Sequence, residues 1–302
     1  MDTTTSSALL ASLSTQLADA VDRVKRSMVT VNGRQRQSAT GLVVMADTVL
    51  TADHVLERED ELTVISDDGR TLSALFVGRD PASDLALLRV ADLKMEPVAR
   101  ADGDARVGQI ALAVGRPAAG SPMASLGVVS AIGGPVRTGR GGMVDKVIQT
   151  DATPYPGFSG GALIDASGAV LGLLTTGLIN GVALAVPHAI AWQTAETISN
   201  HGGVKRGYLG VSSQPVQLPE GQRGGTSQEH GLLVVRVEPG SPAAQAGIIL
   251  GDILLTLDGQ SVGDIDALQA LLVGDRVGRP VPVSVIRGGV ATTLQLTIGV
   301  RS

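Results

Sequence analysis

The chain of 302 residues contains no cysteine and few aromatic residues: one tryptophan, two tyrosines and two phenylalanines. Without cysteine it can have no disulfide bond, no thiolate metal site and no cysteine nucleophile. Aliphatic side chains must therefore fill its cores. Histidine is also scarce, and no two histidines are paired at metal-ligand spacing, so we expect no metal ion and no cofactor. The four histidines are His54, His188, His201 and His230.

The net charge is −5, and the sequence contains no run of basic residues. A nucleic-acid partner is therefore not expected. Residues 1–7 are polar and lack the basic-then-apolar order of a signal peptide. As written, the chain is expected in the cytoplasm, or outside it if a leader has been removed; the sequence leaves the compartment open.

Residues 166–195 contain no aspartate, glutamate, lysine or arginine. A transmembrane helix needs about 20 apolar residues, so a membrane span is one interpretation of this stretch. Turn residues interrupt it, however, and Asn-Gly between two apolar runs is a strong hairpin signal. We therefore predict two buried strands and no transmembrane segment. The interruptions are Gly172, Gly177, Asn180-Gly181 and Pro187.

The hydrophobic patterns divide the chain into parts. Apolar residues recur at helical spacing over residues 7–26, which predicts an amphipathic helix in an N-terminal segment of residues 1–27. Residues 28–202 consist mainly of short apolar runs separated by turn residues, which is typical of an all-β domain. The number of runs fits two six-stranded barrels, followed by a helix over 189–199. The apolar positions of the first helix are Leu10, Leu13, Leu17, Val21 and Val24.

Residues 205–302 have a different pattern, in which strands alternate with two short helices over 243–246 and 264–272. Asp264 is a suitable N-cap for the second of these helices. This mixture predicts a small α+β domain. Its strands are expected over 232–237, 252–257, 281–286 and 292–298.

A candidate nucleophile lies in the run Pro156-Gly157-Phe158-Ser159-Gly160-Gly161. A serine between glycines, after a proline, predicts a tight loop that presents one hydroxyl. Such a loop can direct the N–H groups of Gly157 and Ser159 to one point, which is how an oxyanion hole is built. The same residue types are common in ordinary turns, so this run alone does not establish catalysis.

A serine nucleophile needs a base, normally a histidine that a carboxylate orients. His54 follows a predicted strand, and Asp84 precedes a buried one. His188 is a competing base, but it follows a proline and begins a helix, so we interpret it as structural or exposed. Asp53 competes with Asp84, but a carboxylate cannot easily reach the imidazole of its neighbour in sequence. Histidine, aspartate and serine in this order within one all-β domain indicate a catalytic triad.

Three motifs resemble those of the HtrA/Deg family of trypsin-like serine proteases, in which a PDZ domain follows the protease domain. They are residues 51–55 (Thr-Ala-Asp-His-Val), residues 83–88 (Ser-Asp-Leu-Ala-Leu-Leu) and residues 149–152 (Gln-Thr-Asp-Ala) leading into 156–163. The resemblance runs from about residue 28 to the C-terminus. It implies a mainly β fold, a chymotrypsin-like double β-barrel followed by a small α+β PDZ domain.

The resemblance also implies roles for individual residues. His54 would be the general base, Asp84 its orienting carboxylate and Ser159 the nucleophile, with the N–H groups of Gly157 and Ser159 as the oxyanion hole. Thr175 would place its hydroxyl against the triad carboxylate. Further implied substrate-binding positions are Gly177, where the substrate backbone pairs as an added strand, and Phe158 in the oxyanion loop.

Phe158 departs from the family, which usually has asparagine at this position. The position contributes backbone to the oxyanion loop, so a polar side chain is not required. A bulky ring nevertheless opens a second possibility, a collapsed and inactive loop.

The loop after Asn32 is short, so inhibition by a long regulatory loop is not expected. An S1 pocket for small or medium aliphatic side chains is expected from Leu173, Leu174, Leu178 and Ile179, and no carboxylate there would select lysine or arginine.

The run Tyr208-Leu209-Gly210-Val211 resembles the PDZ loop that captures a peptide C-terminus. Backbone N–H groups of such a loop form a nest for a carboxylate. A simple linker strand is the alternative interpretation. The pocket for the last side chain of the peptide is expected between this loop and the helix over 264–272, with Leu268, Leu271 and Leu272 on its apolar face.

Together these patterns predict an ATP-independent serine endopeptidase that cleaves unfolded or damaged proteins, with a PDZ domain that binds peptide C-termini. A catalytically silent PDZ-bearing chaperone or scaffold, suggested by Phe158, is the alternative. The apolar stripe of the N-terminal helix, together with the family resemblance, predicts a homotrimer. The competing interpretation is that this helix packs on its own barrel.

Overall fold

A computed structural model describes residues 3–117, 122–138, 143–179, 182–202, 207–223, 225–272 and 276–300. The chain forms two compact units, Met1–Gly203 and Val204–Ser302. The expected domain boundary near residue 203 and the expected Asn180-Gly181 turn lie outside the described residues.

The first unit begins with helix α1 (Thr3–Val24) and a 3-10 turn, Lys25–Ser27. Six strands then close a barrel in the order β1-β2-β3-β6-β5-β4. Its core consists of aliphatic side chains, including Val29, Val43 and Leu88. The strands are β1 (Met28–Asn32), β2 (Ala39–Met45), β3 (Thr48–Ala52), β4 (Leu62–Ile65), β5 (Thr71–Asp80) and β6 (Leu85–Arg89).

A second closed barrel follows, in the order β11-β14-β13-β12-β7-β8, with β9 and β10 paired separately. Helix α2 (His188–His201) comes after its last strand. The strands are β7 (Ile110–Gly115), β8 (Met123–Gly133), β9 (Val136–Arg137), β10 (Met143–Val144), β11 (Val147–Thr150), β12 (Ala162–Ile164), β13 (Val170–Thr175) and β14 (Leu184–Pro187).

The uncharged stretch of residues 166–195 contains strands β13 and β14 of this second barrel and the start of α2. All residues of β13 and β14 are buried, which confirms the prediction of two buried strands. Strands buried on both faces are continuously apolar rather than alternating, so this stretch needs no membrane to explain it. Every helix in the described ranges is too short or too polar to cross a membrane.

The two halves of helix α1 differ in how they pack. Ala20 and Val24 are buried in a core shared with both barrels and α2, and Arg23 Nε donates to Ser167 O at 2.9 Å. The preceding turns are exposed: 68% for Leu9 and 69% for Leu10. The second half of the helix therefore packs on its own barrels, whereas the first half presents leucines to solvent.

The second unit is built on strands in the order β16-β17-β18-β20-β21, with β19 paired to β18 and β15 paired to β22. Asp264 caps α4, since its Oδ1 accepts from Ala267 N at 2.7 Å. The elements are β15 (Gly207–Tyr208), β16 (Val211–Gln217), β17 (His230–Val237), α3 (Pro242–Gln245), β18 (Ile253–Leu257), β19 (Gln260–Ser261), α4 (Ile265–Leu271), β20 (Pro280–Arg287), β21 (Val290–Thr297) and β22 (Gly299–Val300). Two barrels followed by a small α+β unit confirm the predicted fold class.

Candidate active site

The loop that carries Ser159 connects β11 to β12. Gly157 and Gly160 have φ angles of 89° and 84°, in the left-handed region where only glycine is unstrained. Phe158 N donates to Tyr155 O at 3.0 Å, and Gly161 N donates to Phe158 O at 2.8 Å. A Cβ at Gly157 would lie only 2.9 Å from Ser38 O. Both the turn and the close approach of neighbouring backbone therefore require these glycines.

Both barrels hold this loop in place. From β2, Thr40 N donates to Ser159 O at 3.1 Å and Thr40 Oγ1 donates to Gly157 O at 2.8 Å. On the other side, Gly160 N donates to Leu174 O in β13 at 2.8 Å. The N–H groups of Gly157 and Ser159 donate no hydrogen bond to any described residue. The loop thus has two unpaired backbone donors next to the Ser159 hydroxyl.

His54 and Asp84 meet because β3 and β6 are antiparallel neighbours, in a register that pairs Ala52 with Leu85. His54 Nδ1 lies 2.6 Å from Asp84 Oδ2, and His54 N donates to Asp84 Oδ1 at 2.9 Å. An ionised carboxylate only accepts, so Nδ1 carries the proton and Nε2 is free to act as a base. Asp84 is 1% exposed with a φ of 55°, a strained conformation of the kind found at functional sites.

Asp53, the competing carboxylate, has a different partner. Its Oδ1 lies 2.9 Å from Arg79 Nη1, and Arg79 also reaches Glu59 Oε1 at 2.8 Å. Asp53 is fully buried, so this pairing compensates its charge. The competing base, His188, begins α2, and neither of its ring nitrogens has a hydrogen-bond partner among the described residues. The imidazole–carboxylate pair in this structure is His54 with Asp84.

Thr175 and Gly177 lie directly behind this pair. Thr175 Oγ1 donates to Asp84 Oδ2 and accepts from Gly177 N at 2.9 Å. Thr175 is 2% exposed, so its hydroxyl contacts the carboxylate and is not a direct substrate contact. A Cβ at Gly177 would lie 2.5 Å from His54 Nδ1. Gly177 therefore leaves room for the imidazole, and its N–H is already occupied, so a substrate strand would pair with its carbonyl.

The side chain of Phe158 is buried. It is 1% exposed and packs in the core of the second barrel with Leu163 and Leu171. A Cβ at Gly115 would lie 2.5 Å from Phe158 Cδ1, so a glycine on β7 makes the space for the ring. The ring also stands edge-on to Tyr155, with centroids 5.4 Å apart. The ring therefore anchors the loop to the barrel core, and the substrate-binding role expected of the Phe158 position stays a prediction.

Ser159 opens onto a cleft of about 340 Å³. Ser159 Oγ lies 3.3 Å from Thr176 Oγ1, and among the described residues it forms no hydrogen bond to His54. The cleft is lined by Arg34, Gln37, His54, Pro154, Tyr155, Pro156, Gly157, Phe158, Ser159 and Thr176. Within the described ranges no group of three metal-ligating side chains occurs.

The four aliphatic residues that the sequence predicts for the S1 pocket do not line the cleft. Leu173, Leu174 and Leu178 are at most 2% exposed and belong to the barrel cores, while Ile179 is 38% exposed. None of the four lines the cleft beside Ser159. The sequence prediction also missed Arg34 and Gln37. Two arginines in the short turn after β1 were visible in the sequence, but no local pattern places that turn beside Ser159.

In the second unit, the predicted peptide loop packs against the turn before α3. Leu209 O accepts from Ala243 N at 2.9 Å, and Gly210 O accepts from Glu238 N at 2.8 Å. Gly210 has a φ of 77°, and a Cβ there would lie 2.6 Å from Ser241 Oγ. The N–H groups of Leu209 and Gly210 donate no hydrogen bond to described residues.

Side chains around this loop form an apolar wall. Leu209 is 3% exposed and shares a core with Leu268, while Val211, Leu271 and Leu272 are partly buried against it. Tyr208, at the start of the loop, donates its hydroxyl to the Glu238 carboxylate. Two unpaired donors beside partly exposed aliphatic side chains are what a peptide carboxylate and its last side chain require.

Comparison with known families agrees with both halves of the chain. Residues 39–173 match the trypsin-like peptidase domain family, and residues 207–298 match the PDZ domain family. Similar proteins named probable periplasmic serine endoprotease DegP-like occur in Halomonas elongata, 34% identical over 272 residues, and Rhizobium meliloti, 35% identical over 274 residues. Each alignment covers 88% of this chain and 57% or 54% of the relative. The chain thus spans just over half the length of these curated relatives.

Solved structures resemble the chain over nearly its whole length. The HtrA-type protease AlgW with a tripeptide is 32% identical with a TM-score of 0.68, and the alignment covers 95% of this chain and 97% of AlgW. The serine endoprotease from Yersinia pestis is 29% identical with a TM-score of 0.74, covering 95% of this chain and 98% of that one. With its paired barrels, its His54–Asp84 pair beside Ser159 and its PDZ unit, the chain belongs to the HtrA family of trypsin-like serine proteases.

Proposed function

We propose that the protein is an ATP-independent serine endopeptidase that cleaves unfolded or damaged polypeptides through an acyl-enzyme at Ser159. The observation that carries the proposal is the 2.6 Å contact between His54 Nδ1 and Asp84 Oδ2, in the cleft that also contains Ser159. Each step of the reaction below uses only groups of the chain, the substrate and water, so no nucleotide is required.

The reaction begins when the Ser159 hydroxyl turns from Thr176 towards His54 Nε2. His54 takes the proton as Ser159 Oγ attacks the carbonyl carbon, and Asp84 stabilises the imidazolium that forms. The oxyanion accepts from the free N–H groups of Gly157 and Ser159, a contribution that is often the largest single one in acyl transfer. His54 then donates its proton to the leaving amine, and water hydrolyses the ester by the same steps.

Unfolded chains are the proposed substrates because a cleft between barrel edges binds an extended backbone, which a folded protein seldom exposes. The Gly177 carbonyl is the group we assign to pairing with that backbone. The curated relatives are named periplasmic, which favours an extracytoplasmic location over the cytoplasmic one.

A catalytically silent chaperone or scaffold is the alternative, and Phe158 is the feature that motivates it. Two features weigh against a collapsed loop. The ring fills a space that Gly115 leaves open in the second barrel, and the donors of Gly157 and Ser159 are not consumed by other described groups. A packed ring stabilises one loop conformation, and here that conformation leaves the oxyanion donors free.

The PDZ unit is proposed to bind the free C-terminus of an apolar-ended polypeptide. The unpaired N–H groups of Leu209 and Gly210 would hold the carboxylate, and the aliphatic side chains beside them would surround the last side chain.

We also propose that three copies of the chain assemble through the first half of α1, because Leu9, Leu10 and Leu13 are exposed there and exposed apolar clusters mark interaction surfaces.

Digestion of unfolded casein without ATP tests the catalytic assignment. Ser159→Ala should abolish cleavage, and Asp84→Asn should lower kcat on the order of 10⁴-fold, because the asparagine amide holds the imidazole in the wrong tautomer. Ser73→Ala, an exposed serine on β5, is the matched control and should cleave like the wild type. Absence of cleavage by a folded wild-type protein would favour the silent scaffold instead.

Variants of Phe158 distinguish a ring that anchors the serine loop to the barrel core from a ring that holds the loop in an inactive conformation. Phe158→Ala should lower kcat by about tenfold or more with a smaller change in KM. Removing an oxyanion donor typically lowers kcat by about 10²- to 10³-fold. Without its anchoring ring the loop would keep its donors in place only part of the time, so part of that decrease is expected. Leu171→Ala, in the same barrel core, should lower Tm comparably but spare kcat. If Phe158→Asn, which restores the residue usual in the family, raised kcat, the anchoring role would be excluded.

Binding of a C-terminal peptide to the full-length Ser159→Ala protein tests the PDZ assignment. Replacing the peptide carboxylate by an amide should weaken binding by roughly 1.5–3 kcal/mol, the scale for a hydrogen bond to a charged group. Gly210→Ala should weaken binding of the carboxylate form, since a Cβ there meets Ser241. Calorimetry with both peptide forms provides the measurement, and equal affinities would show that the groove recognises internal segments rather than chain ends.

Light scattering at micromolar concentration tests the assembly. The intact chain should have the mass of a trimer, and a chain lacking residues 1–26 or carrying serine at Leu9, Leu10 and Leu13 should be smaller, because the buried apolar surface is lost. Leu75→Ser, a 70% exposed leucine on β5, is the control and should leave the mass unchanged. A monomeric intact chain would rule the assembly out.

A further inference from the structure

The turn between β1 and β2, residues 33–38, carries two arginines, Arg34 and Arg36. Arg34 Nε donates to Gln37 O at 2.7 Å, which orients the guanidinium and leaves its two terminal amino groups for another partner. Arg36 is exposed. Neither arginine forms an ion pair with any residue in the described ranges. The turn therefore presents two uncompensated positive charges.

This turn is attached to both halves of the catalytic apparatus. Gly33 O accepts from Glu57 N at 3.0 Å, and a Cβ at Gly33 would lie 2.9 Å from Val55 O, so the turn packs on the residues that follow His54. At its other end, Ser38 O lies against Gly157 in the serine loop. The positions of the arginines relative to the catalytic groups are thus set by packed backbone.

Two adjoining clefts share Arg34 and Gln37. One, of about 340 Å³, contains His54 and Ser159. The other, of about 400 Å³, is lined by Arg34, Gln35, Arg36, Gln37 and Glu57. Glu57 is the one acidic residue among the described residues that line the two clefts, against two arginines, so a groove with excess positive charge continues from Ser159.

The path of the leaving group would bring it to this groove. His54 must donate its proton to the leaving amine, so the segment after the scissile bond passes His54. Residues 55–57 continue from His54, and the arginine turn packs on them. In that arrangement Arg34 and Arg36 would border the residues of the substrate that follow the cleaved bond.

We infer that Arg34 and Arg36 form a subsite that selects substrates with aspartate or glutamate among the first few residues after the scissile bond. This inference rests on the proposed endopeptidase function. A guanidinium–carboxylate hydrogen bond is charge-assisted, but pairs this exposed are weakened by solvent and salt. The expected preference for glutamate over glutamine is therefore about two- to fivefold in kcat/KM, and it decreases as the salt concentration rises.

The test starts from a cleavage site mapped in casein. A quenched fluorescent peptide is made with that sequence, and any charged residues after the scissile bond are replaced by neutral ones. Glutamate or glutamine is then placed, one position at a time, at each of the first few positions after the scissile bond. The ratio of kcat/KM for the two peptides is measured at low and high salt, since a general loss of folding or activity lowers both values and leaves the ratio unchanged. At one position or more the wild type should prefer glutamate, and the ratio should fall with salt.

The variants assign the preference to the turn. Arg34→Gln with Arg36→Gln should bring the ratio to about one, and Arg34→Glu with Arg36→Glu should reverse the preference towards lysine. Arg106→Gln, an exposed arginine outside the clefts, removes a charge elsewhere and should keep the wild-type ratio. A cleaved parent peptide with equal glutamate and glutamine rates, or a preference that survives both double variants, overturns the subsite alone. Failure to cleave casein at all overturns the proposed function, and the subsite with it.

Discussion

The hydroxyl of Thr40 is fully buried where the first barrel meets the serine loop of the second. It donates to Gly157 O at 2.8 Å and accepts from Arg116 N at 2.7 Å, while the Thr40 carbonyl accepts from Thr51 Oγ1 at 2.7 Å. A buried polar group without partners costs about 1–3 kcal/mol, so each member of this network resists displacement of the others. The backbone of Gly157 and Ser159 and the strand leading to His54 all depend on this one junction.

The imidazole–carboxylate pair depends on a comparable junction on the other side of the cleft. Asp84 adopts a φ of 55°, which costs free energy in any residue except glycine. Three donors converge on its carboxylate: the ring and backbone N–H of His54 and the Thr175 hydroxyl. Because Thr175 belongs to β13 and His54 follows β3, the carboxylate is fixed by both barrels. The geometry of the His54–Asp84 pair is thus a property of the interface between the barrels.

Much of this arrangement could be predicted from residues close in sequence. The serine loop needs glycines at defined positions, the triad needs a histidine after one strand and an aspartate before another, and strands buried on both faces are continuously apolar. These requirements are local, so the sequence pattern reveals them. The bounds of α2 and α4 differ from prediction by only a few residues for the same reason, since capping and helical periodicity are short-range effects.

By itself, the sequence determined which residues could perform acyl transfer, because Ser159, His54 and Asp84 lie in short motifs, and it determined the two-barrel and α+β order through the spacing of apolar runs. Only the tertiary structure decided which side chains lie in a barrel core and which line a cleft. Leu173 and Leu174 face two different cores instead of lining a pocket, because β13 is buried on both sides. Phe158 fills a space left by Gly115, and Arg34 borders Ser159, because strands distant in sequence bring these positions together when the barrels close.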